Sequence, residues 1–131
     1  MGLKIILIFL FICSYSYGQS NFKLVQLKKP KKATYTPSQI EPSIAINPNN
    51  ASIMAAGSVL NDYYYSKDGG NSWVSESIKS PFGVWGDPVL MFDTKGKLYY
   101  FHLASYKKST HLDRIVCQTT DNVCEDFTDG S

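Results

Sequence analysis

Two carboxylates, Glu41 and Asp87, each stand directly before a proline. An acid so placed can hold a ligand hydroxyl or donate a proton to a leaving oxygen. Trp85, between Gly83 and Gly86, offers a flat ring of the kind that stacks on a sugar. Each has a plainer role: an acid before proline can end a strand and bond its own loop, and a tryptophan beside glycines can pack between sheets. His102 lies in an apolar run and reads as a core histidine, whereas His111 sits in a lysine-bearing loop and reads as solvated. They have no partnering cysteine or carboxylate spacing, so no zinc motif, metal or cofactor is expected. The serines lack a nucleophile-elbow context.

The elements that would position these residues repeat. "EPSIAINPNNASIMAAGSV" begins at Glu41 and "DPVLMFDTKGKLYYFHLA" at Asp87. Both read acid, Pro, four mostly apolar residues, Asn or Asp, a turn, then a second strand-like run. A second pair of features lies further along, Asp68 in "SKDGGNSW" and Asp121 in "TTDNVCEDF". Repeats of roughly 45–55 residues filled with short strands and turn signals suggest four-stranded propeller blades. In the first unit the strands are expected at 43–47, 53–60, 63–67 and 73–78. In the second they are expected at 89–93, 98–105 and 114–119, with a poorly formed fourth near Phe127. "NPNN" and "DTKGK" supply Asn, Pro and Gly where strands must reverse. No helical period appears, so the fold class is all-β: a partial β-propeller of about two four-stranded antiparallel blades, a class in which complete rings hold about 4 to 8.

"YYYSKDGGNSW" carries the most specific motif. Asp68 can accept hydrogen bonds from turn N–H groups, and Gly69 or Gly70 can take the positive φ of a tight hairpin. Ser66, Asp68, Gly70, Ser72 and Trp73 match S-x-D-x-G-x-[ST]-W, the Asp-box or bacterial neuraminidase repeat. With the repeated strand starts, the region 41–131 resembles the first blades of a secreted bacterial sialidase-superfamily β-propeller. The resemblance implies that the box is structural and lies away from the active face. A second box fits at Thr119 and Asp121, but Val123 stands where Gly is expected and Glu125 where Ser or Thr is expected. Phe127 comes one position late.

If the Asp-box turn is at the bottom, strand parity puts Glu41 and Asp87 at the top beside Trp85, with Asp62 and Arg114 on connections reaching the same face. A sialidase-type site needs an arginine cluster to hold the substrate carboxylate, a tyrosine nucleophile with a glutamate, and an acid. The sequence has one arginine, Arg114, and "EPSIAINP" stands where many sialidases carry F-R-I-P. The catalytic set is therefore incomplete. The resemblance implies the N-terminal part of a protein that binds or hydrolyses extracellular glycosides, inactive by itself at this length. The alternative is a non-catalytic Asp-box module that binds proteins or glycans.

Composition frames these expectations. The chain has 131 residues, 44% hydrophobic and 18% charged, with net charge +2. That suits a globular unit and is too mild a charge to suggest a nucleic-acid partner. Lys4, the apolar run "IILIFLFI" and small residues at Ser16 and Gly18 read as a secretory signal peptide, residues 1–18, cleaved after Gly18. The apolar run is too short to span a bilayer, so a secreted or periplasmic protein that is not integral to a membrane is expected. Ile12 before Cys13 disfavours a lipoprotein signal, which wants a small residue there. Residues 19–40 comprise a strand at 21–27 and a lysine-rich linker. Cys117 and Cys124 would face each other only if the second hairpin slipped to centre on Thr120 and Asp121; otherwise they are two unpaired thiols.

Overall fold

The computed structural model describes residues 23–28, 40–105 and 111–131. The expected signal peptide, most of the lysine-rich linker and part of the loop before Arg114 lie outside the described residues. Among those described, all regular structure is β. The strands are β1 (Ser43–Ile46), β2 (Met54–Ser58), β3 (Asp62–Ser66), β4 (Val74–Ser77), β5 (Gly86–Phe92), β6 (Leu98–Ala104) and β7 (Arg114–Thr120). They form two antiparallel meanders, a four-stranded sheet in the order β1-β2-β3-β4 and a three-stranded sheet in the order β5-β6-β7.

Two expected strands are absent. Lys23–Lys28 has no regular structure; it lies over the first sheet, where the Ser75 hydroxyl donates to the Lys28 carbonyl at 2.6 Å. No strand forms at Phe127 either. The chain there returns beside β7 through isolated bonds, Thr128 N–H to the Thr119 carbonyl at 3.0 Å and Cys117 N–H to the Ser131 carbonyl at 3.1 Å. The reason is the burial of Phe127: its ring stands edge-on to Tyr63 at 5.1 Å and to Tyr100 at 5.7 Å, which draws the segment off the ladder and toward the core.

The two sheets pack face to face. Ser43, Ala45, Ala55, Gly57, Tyr63 and Tyr65 share one face of the first sheet, since they pair across its strands and alternate with the residues between. Leu90, Leu98 and Tyr100 meet them from the second sheet and complete the buried cluster with Ile78 and Val123. The Ser43 hydroxyl accepts the Leu90 N–H at 3.0 Å, tying β1 to β5. Gly57 allows the close approach: a β-carbon there would lie 2.9 Å from the Tyr100 hydroxyl and 3.1 Å from Leu90 Cδ1. Gly57→Ala should therefore overpack the seam and cost about 1–3 kcal/mol, read as a lower urea midpoint with an unchanged slope.

Candidate functional site

Strand direction separates two ends. β1 and β5 run from Glu41 and Asp87 toward turns at Asn47 and Asp93, and β3 and β7 run toward turns after Ser66 and Thr120. The turn end is therefore built from asparagine and aspartate supports, and the opposite end carries Glu41, Trp85, Asp87 and the start of β7.

At the turn end the Asp68 carboxylate organises its hairpin. Oδ1 accepts the Ser66 hydroxyl at 2.9 Å and the Ser72 N–H at 2.8 Å, and Oδ2 accepts the Ser72 hydroxyl at 2.6 Å. Ser66 Oγ accepts the Gly70 N–H at 2.9 Å, and Trp73 Nε1 donates to the Gly70 carbonyl at 3.1 Å. Gly69 and Gly70 both take positive φ, 70° and 82°. These bonds favour the charged carboxylate. The Ser72 hydroxyl and N–H, with Ser66, lower the Asp68 pKa from 3.8 to about 2. Every proton-bearing group around Asp68 is thus spent on the turn.

The second hairpin follows the same plan one residue later than the sequence suggests. Met54 and Leu98 open the second strands of their sheets, and they pair with Ser66 and Thr120 respectively. Thr120 therefore occupies the place of Ser66, Asn122 that of Asp68, Cys124 that of Gly70, and Phe127 that of Trp73. Asn122 N–H donates to Thr120 Oγ1 at 3.1 Å, as Asp68 N–H does to Ser66 Oγ at 3.3 Å. Asn122 Oδ1 accepts the Cys124 N–H at 3.2 Å. Asp121 is left outside the turn and pairs with Lys97 at 3.3 Å. This register also settles the cysteines. Cys117 exchanges backbone bonds with Ser131 rather than standing opposite Cys124, and both thiols are free.

The inner-strand turns repeat as well. Asn47 Oδ1 accepts the Asn49 N–H at 2.9 Å, and Asp93 Oδ1 accepts the Lys95 and Lys97 N–H groups at 2.8 and 2.9 Å. Those backbone donors, Lys97 first, hold the Asp93 carboxyl below its ordinary range.

At the opposite end the structure brings Glu41 and Asp87 together. Both adopt left-handed backbone, with φ of 55° and 49°, a conformation uncommon outside glycine. The Asp87 side chain beside Glu41, through hydrogen bonding first and then the loss of hydration and like charge, raises the Glu41 pKa. Trp85 is 41% exposed, and its backbone N–H donates to the Leu103 carbonyl at 2.9 Å, fixing the backbone just before Asp87. Arg114 is set apart: its guanidinium bonds Asp113 through Nε at 2.7 Å and Nη2 at 2.9 Å, and lies 5.4 Å over the Phe82 ring. Asp62 does not reach the surface. It is 3% exposed and accepts the Tyr64 hydroxyl at 3.3 Å. His102 is buried, as its apolar run suggests, with Nδ1 2.9 Å from the Leu103 carbonyl. Beside this end a cavity of about 250 Å³ is lined by Leu60, Asn61, Ile78, Lys79, Ser80, Gly83 and Val84.

Among the described residues no group of three His, Cys, Asp or Glu side chains could hold a metal ion, and no helix is long and apolar enough to cross a membrane. In comparisons with known proteins, no family model, no curated protein and no solved structure matches this chain.

Two titrations follow. The folded pKa of Asp68 is depressed, so its contribution to stability is complete above its unfolded value of 3.8 and is lost as pH falls toward about 2. Melting temperatures measured across that window should fall for the native chain, and Asp68→Asn should be less stable at neutral pH with a flatter acid limb. Because Asp87 raises the Glu41 pKa, Asp87→Ala should return Glu41 toward its ordinary value, seen by carbon-detected NMR titration of the Glu41 carboxyl.

Proposed function

We propose that this chain forms consecutive blades of a secreted, sialidase-like Asp-box β-propeller, and that its Glu41–Trp85–Asp87 end binds an extracellular glycan without hydrolysing it. The observation that carries the reading is the convergence of Glu41 and Asp87. Two acids at equivalent positions of a tandem repeat share one uncommon backbone conformation and lie beside one another, at the end opposite the fastened turns. Backbone of this kind persists only where its surroundings over-determine it, and such sites cluster at binding surfaces.

A sugar fits this chemistry. An exposed indole supplies a stacking face, and the neighbouring Glu41 and Asp87 carboxyls supply acceptors for vicinal hydroxyls. The fastening of Asp68, Ser66 and Ser72 to one another supports the structural role of the box. Hydrolysis of a sialoside would also need an arginine cluster. The chain has the single Arg114, and two of its donors are already engaged by Asp113.

The test is binding of oligosaccharides followed by tryptophan fluorescence and confirmed by calorimetry. The native chain should bind a terminal mono- or disaccharide, Trp85→Ala should weaken binding at least about tenfold, equivalent to 1.4 kcal/mol, and no sialic acid should be released from a fluorogenic sialoside. Equal binding by the native and Trp85→Ala chains would remove this end as the site. Release of sialic acid would show the assignment of chemistry to be wrong.

A further inference from the structure

The segment Lys23–Lys28 lies over the outward face of the first sheet and is fastened at both ends. The Ser75 hydroxyl donates to the Lys28 carbonyl at 2.6 Å, and Lys23 Nζ donates to Asn71 Oδ1 at 3.1 Å. Beneath it the outward residues of β2 and β3 are buried: Ala56 is 7% exposed, Ser58 2% and Tyr64 1%. The segment does not fill the space it covers. A cavity of about 240 Å³ remains between the half-buried Leu27 above and Ala56, Gly57, Ser58 and Tyr64 below, with the exposed Gln26 and Pro42 at its mouth.

One polar group in this cavity is unsatisfied. Ser58 alternates with Gly57 along β2 and so points outward with Ala56. Its Oγ is buried and has no hydrogen-bond partner. A hydroxyl taken out of water without a partner is destabilising, and a ligand that supplies the missing bond removes the penalty. The Tyr64 hydroxyl, by contrast, is turned to the neighbouring carboxylate and donates to Asp62 Oδ2 at 3.3 Å.

We propose that this cavity binds a small uncharged cyclic alcohol, with its ring against Leu27, Ala56 and the Tyr64 ring and its hydroxyl on Ser58 Oγ. The lining decides the body of the ligand: Leu27, Ala56, Gly57 and the Tyr64 ring form an apolar wall around one hydroxyl, the usual composition of a small-molecule site. The volume decides its size. A dry cavity of about 150 Å³ holds benzene, so this one admits a six-membered ring with a substituent. Desolvation decides its charge. Among the described residues the Asp62 carboxyl, cross-strand from Ser58, does not line the cavity, so an ion of either sign would give up its water for a single hydroxyl. This site rests on the burial of the first sheet's outward face and holds or fails independently of glycan binding.

Titration of the isotope-labelled native chain with cyclohexanol, followed through its amide NMR signals, tests it. The signals of Ala56, Gly57 and Ser58 should shift and saturate in the millimolar range. Ser58→Ala should weaken binding about threefold or more. Ala56→Leu, whose added carbons occupy the cavity, should abolish the saturable shift while its circular dichroism matches the native spectrum. Ser77→Ala removes another buried hydroxyl without a partner, one that lies outside this cavity, and should bind as the native chain does. The proposal is overturned by a native chain that shows no saturable shift, by equal binding in Ser58→Ala, or by undiminished binding in Ala56→Leu. A loss in Ser77→Ala as large as that in Ser58→Ala, or saturation by cyclohexylammonium in place of cyclohexanol, overturns it too.

Discussion

The seam between the two sheets depends on the missing side chain at Gly57. With a β-carbon the backbone of β2 could not approach Tyr100 and Leu90 as it does, and the Leu90 N–H would be drawn from the Ser43 hydroxyl. Neither sheet can bury its apolar face alone, because a meander of this size has only one layer. The buried side chains Ala55, Tyr63, Leu98 and Tyr100 come from both sheets. The fold therefore exists as a pair of sheets before it exists as two units.

That pairing determines where chemistry can occur. Once β1 and β5 lie side by side and run the same way, Glu41, just before β1, and Asp87, at the start of β5, must meet at one end and the following turns at the other. Asn49 Nδ2 donates to the Thr94 carbonyl at 2.9 Å between the two turns, and Asn47 lies against Gly96. The turn end is thereby tied across the seam by side-chain amides. The acid end carries two exposed carboxyls, where water competes for each bond and a ligand hydroxyl can take its place.

Much of this was legible in the sequence because it depends on local chemistry. The repeated strand-and-turn pattern located the seven strands of the described residues to within a few positions, and the spacing of Ser66, Asp68, Gly70, Ser72 and Trp73 specified a fastened hairpin whose bonds follow from donor and acceptor type alone. What was not legible depends on register. The doublets Thr119–Thr120 and Asp121–Asn122 permit two alignments of the second hairpin, and only the pairing of Leu98 with Thr120 chooses between them. Asp62 looked like a loop-end acid, but opposite Ser58 and Ser77 its side chain is buried. The repeat displayed Glu41 and Asp87 as equivalent without revealing that they touch, since contact across a seam leaves no mark on either segment. Residues Lys23–Lys28 have the composition of a strand yet lie across the first sheet without regular structure.

The second hairpin shows how one fastening can replace another. Asn122 carries no charge and its side chain makes two bonds where that of Asp68 makes three, and Cys124 stands where Gly70 takes positive φ in the first hairpin. Polar bonds alone would leave this turn poorly held. The position of Trp73, whose indole folds outward over its own turn, is taken by Phe127, which has no N–H to bond and instead enters the seam between Tyr63 and Tyr100. Tyr63 adds a long-range tie, its hydroxyl donating to the Val123 carbonyl at 3.0 Å within the turn itself. Apolar burial is non-directional and tolerates an irregular backbone, so the return of the chain from Glu125 to Ser131 need not form a regular strand to be held. The cost of that substitution is the fourth strand of the second sheet.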